Sequence, residues 1–576
     1  MATDEIAGAP HGVNTAEWVD LISKDLDAAR KTLENASGYV RANAAHESAP
    51  GITRAAEDPY VLIRFGQLWA RFHAAALLLT RARSLVRTAA QDDDPAANSA
   101  LLQAQAFSRE VANEIANQST VWAGNRGNDL PPRAGDFGTP WSYHRVGTRY
   151  LNSQGDGPIA RWEGNPSIRD SSVLQSPVRV IGSDEEAIGV AREVAARLLP
   201  GASPRDRERT FPVAELDELS RSGLLGISVP RSFGGAGVSV ETLVTIFQLL
   251  SAADPAIGQL PQNHFAFVEV IRQDGTPAQQ ALFFGQLLDG ARLGNAQAER
   301  GGSSALNLRT RLLPTANGEY LLNGTKYYCT GAITAHWIPV AALDDQERQV
   351  LAYVPREASG VELLKDWRAM GQRVTYSGTA HFKDVRVPVA HVIEHWRLFQ
   401  RPNVYHPFAQ LLHAAIDIGI AQNALEETAA ALRSRTRPRL GAAVQKALED
   451  PHVVRRVGEL LTAFHAAEGL VLDTARKIDA GEGALDAGKV AEVAVAVSEA
   501  KAFAEDVVMA ITNEMFALLG SGATDEQLNF NRHWRNARTH TVHDANQWRY
   551  HHAGNYHLNG VAPGLPVRRL DGGRPG

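Results

Sequence analysis

Apolar residues recur at three- and four-residue steps through Val453, Val457, Leu460-Leu461, Phe464 and Leu470-Val471. That is the spacing of one buried face of a long helix. The same pattern stands 392 positions earlier. With Asp58-Pro59 laid on Asp450-Pro451, the residues Val61, Arg64, Gly66, Leu68, Phe72, His73, Ala74 and Ala75 fall on Val453, Arg456, Gly458, Leu460, Phe464, His465, Ala466 and Ala467. Leu33-Glu34 and Arg41 fall on Leu425-Glu426 and Arg433 at the same offset. At an offset of 396, Ala104, Ala106-Phe107, Val111, Ile115, Asn117 and Gly124 meet Ala500, Ala502-Phe503, Val507, Ile511, Asn513 and Gly520. At 407, Trp141, Tyr143-His144, Gly147 and Leu151-Asn152 meet Trp548, Tyr550-His551, Gly554 and Leu558-Asn559. The pattern predicts one antiparallel helical bundle present twice, at about residues 15–152 and about 407–559.

The offset widens from 396 to 407 between Gly124 and Trp141, so the first copy lacks eleven residues there. The second copy carries Arg535 to Asp544 at that place, including His540, His543 and Asp544. One active site per chain is therefore expected, at the second copy. Arg145 and Thr148, where the second copy has His552 and Asn555, mark further divergence.

Between the copies the texture changes twice. Residues 153–182, rich in Gly, Pro, Ser and Asn, read as a linker. Helical patterns return over 183–289, with a glycine-rich turn at Phe233-Gly234-Gly235-Ala236-Gly237. Residues 290–395 are β-rich. There Tyr320 to Cys329 predicts two strands around an Asn323-Gly324 turn, and Val340–Leu343 predicts a partner in Val350–Val354. Residues 396–576 hold the second bundle. The expected class is α+β, mostly α: a helical domain, a middle β-domain and a C-terminal helical bundle, preceded by a duplicate of that bundle.

Composition narrows the function classes. A net charge of −6 over 576 residues provides no basic stripe for nucleic acid. No run of roughly 18 apolar residues calls for a membrane, and Met1 to Gly12 does not read as a secretion signal. A cytoplasmic protein is expected. The single cysteine, Cys329, excludes an intrachain disulfide and any multi-cysteine metal site. It reads as a packing residue, and no metal is expected.

Several short motifs stand in order over residues 183–560. They are Val229-Pro230, Phe233-Gly234-Gly235, Gly324 to Gly331 (Gly-Thr-Lys-Tyr-Tyr-Cys-Thr-Gly) and Gly371-Gln372-Arg373. Their order resembles the acyl-CoA dehydrogenase superfamily. Gln259 to Phe265, Gly294 to Gly301, Arg535 to Asp544 and Trp548 to Tyr556 resemble its flavin monooxygenase branch, which includes the dibenzothiophene monooxygenases and, nearest, the sulfur-acquisition oxidoreductases. The resemblance implies a flavin between the β-domain and the second bundle, edged by Asn295, Gln297 and Thr330, with Tyr328 and Cys329 in the strand alongside. Arg373 is the expected phosphate partner, since a guanidinium holds phosphate oxygens in a fork; a surface ion pair is the alternative.

A dehydrogenase of this fold needs a carboxylate poised over its thioester substrate, and the corresponding loop here reads His543-Asp544-Ala545-Asn546. A monooxygenase that activates oxygen on reduced flavin needs donors titrating near neutral pH, the work of histidine. By resemblance His264 and His543 face the reactive edge, with Thr330 as hydroxyl donor, His540 on the same side and Asp544 orienting His543. The expectation is a two-component monooxygenase that takes reduced, diffusible FMN from an NAD(P)H:flavin reductase and oxygenates a small organosulfur substrate with O2. No glycine-rich dinucleotide fingerprint is present, in keeping with an external reductase. An FAD-dependent dehydrogenase and a noncatalytic scaffold are the alternatives. A homo-oligomer is expected, two chains presenting four bundles.

Overall fold

Asp58 and Asp450 each accept a hydrogen bond from the N–H two residues on, at 2.8 Å in both places. Pro59 and Pro451 follow as first helical residues, where a missing N–H costs nothing. Equivalent caps thus start equivalent helices. The computed structural model describes residues 15–42, 54–89, 94–122, 139–152, 178–301, 308–434, 436–438, 444–481 and 483–564. The first bundle comprises α1 (Thr15–Ala42), α2 (Pro59–Thr88), α3 (Pro95–Trp122) and α4 (Thr139–Asn152). A helical layer follows: α5 (Asp184–Glu208), α6 (Val213–Arg221), α7 (Val240–Ala253), α8 (Pro255–Gln259), α9 (Gln262–Asp274) and α10 (Pro277–Leu288).

The middle region is one seven-stranded sheet of β1 (Arg311–Pro314), β2 (Tyr320–Lys326), β3 (Trp337–Leu343), β4 (Gln349–Pro355), β5 (Val361–Leu363), β6 (Ala380–Val387) and β7 (Val392–Ile393), in the order β5-β6-β2-β1-β3-β4-β7. All pairs are antiparallel except β1 with β3. The second bundle comprises α11 (Tyr405–Ser434), α12 (Pro451–Gly481), α13 (Ala487–Leu519), α14 (Asn531–Thr541) and α15 (Asn546–Asn559). At the three sequence offsets α1 to α4 answer to α11, α12, α13 and α15. Among the described residues α14 has no counterpart. The shortened stretch of the first copy, and most of the expected linker, fall at 123–138 and 153–177, outside the described residues.

The strand expectation needs one correction. β2 runs unbroken through Asn323-Gly324, and the hairpin from β1 turns instead at Asn317-Gly318, where Gly318 has φ +76°. Asn323-Gly324 is a register irregularity in the β2–β6 pair. Thr310 packs so tightly over Gly324 that an added Cβ would lie 2.3 Å from its hydroxyl. This glycine answers a close approach, not a turn. The second predicted pair, β3 with β4, forms across the charged turn.

The two bundles interlock through glycines. α2 crosses α15 where a Cβ on Gly66 would lie 2.0 Å from the Tyr550 carbonyl oxygen and one on Gly554 1.8 Å from that of Leu62. The crossing of α4 with α12 repeats it: Gly147 faces the Val454 carbonyl and Gly458 that of Tyr143, at 1.8 and 1.7 Å. Only glycine allows backbones so close. Each crossing closes over an apolar cluster, Val40, Leu62, Phe65 and Leu558 at one and Leu432, Val454, Val457 and Leu151 at the other. One continuous core runs from Trp18 and Leu101 through Leu243 of α7 to Leu411 and Phe503, so the first copy shares its interior with the rest of the chain.

Candidate functional site

α11 is apolar along most of its length, yet it buries His413 and Asp417 one turn apart. α13 likewise buries Lys501 and Glu505. These four polar side chains meet beneath the loop joining α14 to α15. Asp417, fully buried, receives Nδ1–H of His540 at 2.6 Å, and His540 Nε2 lies 3.0 Å from His413 Nδ1. With Nδ1 of His540 directed at Asp417, its Nε2 faces Nδ1 of His413, and one N–H is shared between the two rings. His413 then stacks on His543, ring centroids 4.3 Å apart. Lys501 pairs with Glu505 at 2.5 Å.

The electrostatics follow from burial. Desolvation, then the nearby Lys501, brings His543 down to about 3, and desolvation with His543 and His540 beside it holds His413 well below the usual imidazole value. Both rings are neutral at physiological pH. Burial pushes Glu505 up to about 7, opposed by Lys501 and reinforced by Asp417.

The first copy lacks this machinery. At the same offsets Asp25 answers to Asp417, but Leu21 replaces His413, Gln105 replaces Lys501 and Arg109 replaces Glu505. Arg109 lies 3.7 Å from Asp25, closing a salt bridge where the second copy holds a histidine relay.

A second cluster forms at the sheet edge. Asn295 Nδ2 donates to the Tyr328 carbonyl at 3.2 Å, and Gln297 Nε2 donates to Asn295 Oδ1 at 3.1 Å. Tyr328 and Cys329 lie just past the end of β2 rather than in a strand, Tyr328 with φ +57° and its ring half exposed. Cys329 is buried in the sheet core, where desolvation raises its thiol to about 12. It packs and does not react.

Thr330 begins a line of hydroxyls: its Oγ1 lies 2.7 Å from Ser377 Oγ, which lies 2.8 Å from Thr375 Oγ1, which donates to the Gln372 carbonyl at 2.9 Å. Since Thr375 spends its proton inward, Ser377 donates to Thr375 and Thr330 to Ser377. Thr330 therefore presents lone pairs outward, an acceptor where a donor is expected. Trp367 Nε1–H also holds the Gln372 carbonyl at 2.9 Å, so turning the line round costs about one hydrogen bond, roughly 0.5–1.5 kcal/mol.

The hydroxyl line leads to Arg373. Its guanidinium donates to the carbonyls of Met370 and Asp206 at 3.0 and 3.3 Å, with the Asp206 and Glu526 carboxylates near enough to act on its charge. Burial, and then Arg535 beside it, lower its proton affinity. Arg535 pairs with Asp206, and Arg209 keeps Nη1 buried without a partner. Arg373, Arg209 and Arg535 thus stand against two carboxylates, Asp206 and the weaker-acting Glu526, a surplus of positive charge with an orphaned donor. That suits a phosphate.

Two expected site residues hold other posts. His264 is fully buried on α9, with Nε2–H donating to the Leu225 carbonyl at 2.8 Å and Nδ1 accepting from the Leu293 N–H at 3.1 Å. Burial lowers it to about 4. Both nitrogens are occupied by backbone, so it braces the wall behind Gly331. Asp544 pairs with Arg549 and accepts from Ala545 N–H at 2.8 Å; burial works against its ionised form, yet Arg549 brings it down to about 2. His543 is oriented by His413, not by Asp544. His413, Asp417, Lys501 and Glu505 were missing from the sequence expectation.

Models of the acyl-CoA dehydrogenase N-terminal, middle and C-terminal domains match residues 184–291, 297–385 and 411–548. Dibenzothiophene monooxygenase of Rhodococcus erythropolis is 32% identical over 398 residues, covering 66% of this chain and 95% of that one. A probable FMNH2-dependent monooxygenase of Pseudomonas putida, SfnC, is 32% identical over 392 residues, covering 66% and 96%. The crystal structure of FMN-bound TdsC from Paenibacillus sp. A11-2 superposes with a TM-score of 0.63 at 31% identity, over 66% of this chain and 98% of that one.

Proposed function

The chain belongs to the flavin monooxygenase branch of the acyl-CoA dehydrogenase superfamily, and on that premise we propose that it oxygenates a small organosulfur compound with O2 and externally supplied reduced FMN. An NAD(P)H:flavin reductase is the partner this requires, and the cytoplasm is the compartment that supplies it. Among the described residues no helix is long and apolar enough to cross a membrane.

One observation carries the reading: a neutral histidine, His543 stacked on His413 of α11, stands in the loop where a dehydrogenase needs a free carboxylate. Asp544 is held ionised by Arg549, which makes it a weak base for abstracting a proton beside a thioester. FMN, when bound, would supply the electrons and activate the oxygen. The residues fit it: Asn295, Gln297 and the Tyr328 carbonyl give a polar edge, Thr330 gives an acceptor, and Arg373 with Arg209 accepts a phosphate.

The protein's own work is positioning and proton handling. Asp417 fixes the tautomer of His540, His540 fixes His413, and His413 holds the His543 ring by stacking, so that His543 offers one N–H and one lone pair without rotating. The test is to supply enzymatically reduced FMN, 18O2 and dibenzothiophene as probe, and to follow label in the product. FMN binding with incorporation of one labelled oxygen is expected. Bleaching of bound FAD by an acyl-CoA, without incorporation, would establish the dehydrogenase instead, and no flavin binding at all the scaffold.

A further inference from the structure

His73 of α2, in the first bundle, directs Nδ1 at Glu499 Oε2 of α13 at 2.7 Å, while His557 of α15 directs Nε2 at the other carboxylate oxygen at 2.6 Å. The three ligand atoms lie within 4.8 Å of one another. Glu499 is buried, and His73 is about a third exposed at its side chain, leaving a way in from solvent. Trp69 stacks on His557 at 4.6 Å and fixes its ring. The nearest competing cation, Lys477, is paired with Asp473 at 2.8 Å.

The internal repeat supplies a control within the same chain. At the equivalent place His465 answers to His73 and Gln103 to Glu499, and the same Nδ1 contacts Oε1 at 2.9 Å. Tyr150 answers to His557, and Leu461 to Trp69. A hydrogen bond between the bundles is thus available without a carboxylate or a second imidazole. The other end has an anion and two imidazoles converging on one point, with a ring to hold one of them. His2Glu is a ligand set that takes Zn²⁺ with a water in the fourth position.

We propose that His73, Glu499 and His557 bind one divalent transition metal ion, Zn²⁺ by its ligand chemistry, as a clamp between the two bundles. The same nitrogens that donate to Glu499 turn lone pairs to the ion by shifting their protons to the other ring nitrogen. Tetrahedral Zn²⁺ with bonds of about 2.0–2.1 Å sets its ligand atoms about 3.3 Å apart, so the contact to the coordinating carboxylate oxygen opens by about 0.6 Å while the other histidine closes on that oxygen, the three ligand atoms already lying within 4.8 Å of one another. Because the ligands come from both copies, binding favours the docked arrangement over any in which the copies part.

The experiment uses the full chain, stripped with EDTA and then dialysed against Co²⁺, with Zn²⁺ as competitor. One ion per chain is expected, with visible d–d bands that Zn²⁺ abolishes and a thermal midpoint that rises on loading. Glu499→Gln and, separately, His557→Tyr install the side chains that the equivalent site already tolerates, so folding is retained. Each should weaken binding at least about tenfold, as loss of a metal-ordering group does, and remove the thermal gain. A wild-type chain that takes up no ion overturns the proposal, as does uptake unchanged in both variants.

Discussion

Phe107 and Phe503 occupy equivalent positions of the two bundles, and they touch each other, ring centroids 6.2 Å apart and planes at 52°. A residue meets its own counterpart only beside a two-fold axis. That axis relates the α2–α15 crossing to the α4–α12 crossing, and the Tyr143–Glu110 hydrogen bond to Tyr550–Asp506, both 2.6 Å. The first copy is docked as a partner subunit would be, inside one chain.

Gly554→Val should therefore act at the docking surface. Its branched side chain meets the Leu62 carbonyl, and overpacking of this kind costs about 1–3 kcal/mol or more. Gly147→Val should do the same at the related crossing. Gly38→Ala, on the same fold with nothing within 4 Å of the new methyl, should be neutral or stabilising by about 0.5–1 kcal/mol. Thermal unfolding of the three variants reads the contrast; equal midpoints would deny the glycines their role.

His543→Ala should leave FMN affinity within about threefold and lower product formation by two to four decades, the range for loss of a proton-handling side chain. Reduced FMN would still be consumed, with hydrogen peroxide in place of product. His413→Phe keeps the stack but not the bond to His540, so it should give a milder loss. Peroxide yield and product yield measured together separate the two; full coupling in His543→Ala would count against the assignment.

Arg373→Ala should weaken FMN binding by roughly tenfold or more, the scale of a charge-assisted hydrogen bond, with little change in the thermal midpoint of the flavin-free protein. Arg373→Lys should restore only part of it, a single ammonium being a poor substitute for a fork. Quenching of FMN fluorescence gives both values.

Stability should respond to pH in two opposed ways. His264 and His543 have folded pKa values below the free value of 6.5, so their contribution is present above about pH 6.5 and is lost as pH falls toward 4 and 3. Glu505 is raised from 4.5 to about 7; the native state binds the extra proton, and its contribution is present below pH 4.5 and lost as pH rises through 7. Glu505→Gln should remove the second trend and leave a steeper acid limb. Urea midpoints at pH 5, 6, 7 and 8 test this; an unchanged profile would mean that Glu505 does not titrate in this range.

Much of this was readable in the chain. The duplicate announced itself through Gly66, Gly147, Tyr143 and Leu151, residues whose types are fixed by the crossings they make. The Asn317-Gly318 hairpin was misplaced because Asn323-Gly324 carries the same turn signature, and only Thr310, fourteen residues upstream, shows why Gly324 is needed. His413 with Asp417, and Lys501 with Glu505, were passed over because charges four apart on a helix read as exposed surface pairs. Their burial depends on two helices packing face to face, which no local pattern reports. His264 stood in a recognisable motif, yet backbone carbonyl and amide claim both its nitrogens. Motif and chemistry part company there.

The glycine crossings also set the order in which the molecule can be made. α2 waits for α15, which among the described residues is the last helix to leave the ribosome. At about 5–20 residues per second the roughly four hundred residues between α4 and α15 take some 20–80 s to synthesise. The nascent first bundle carries a bare face around Gly147 until α12 has been made, and one around Gly66 for the whole of that time.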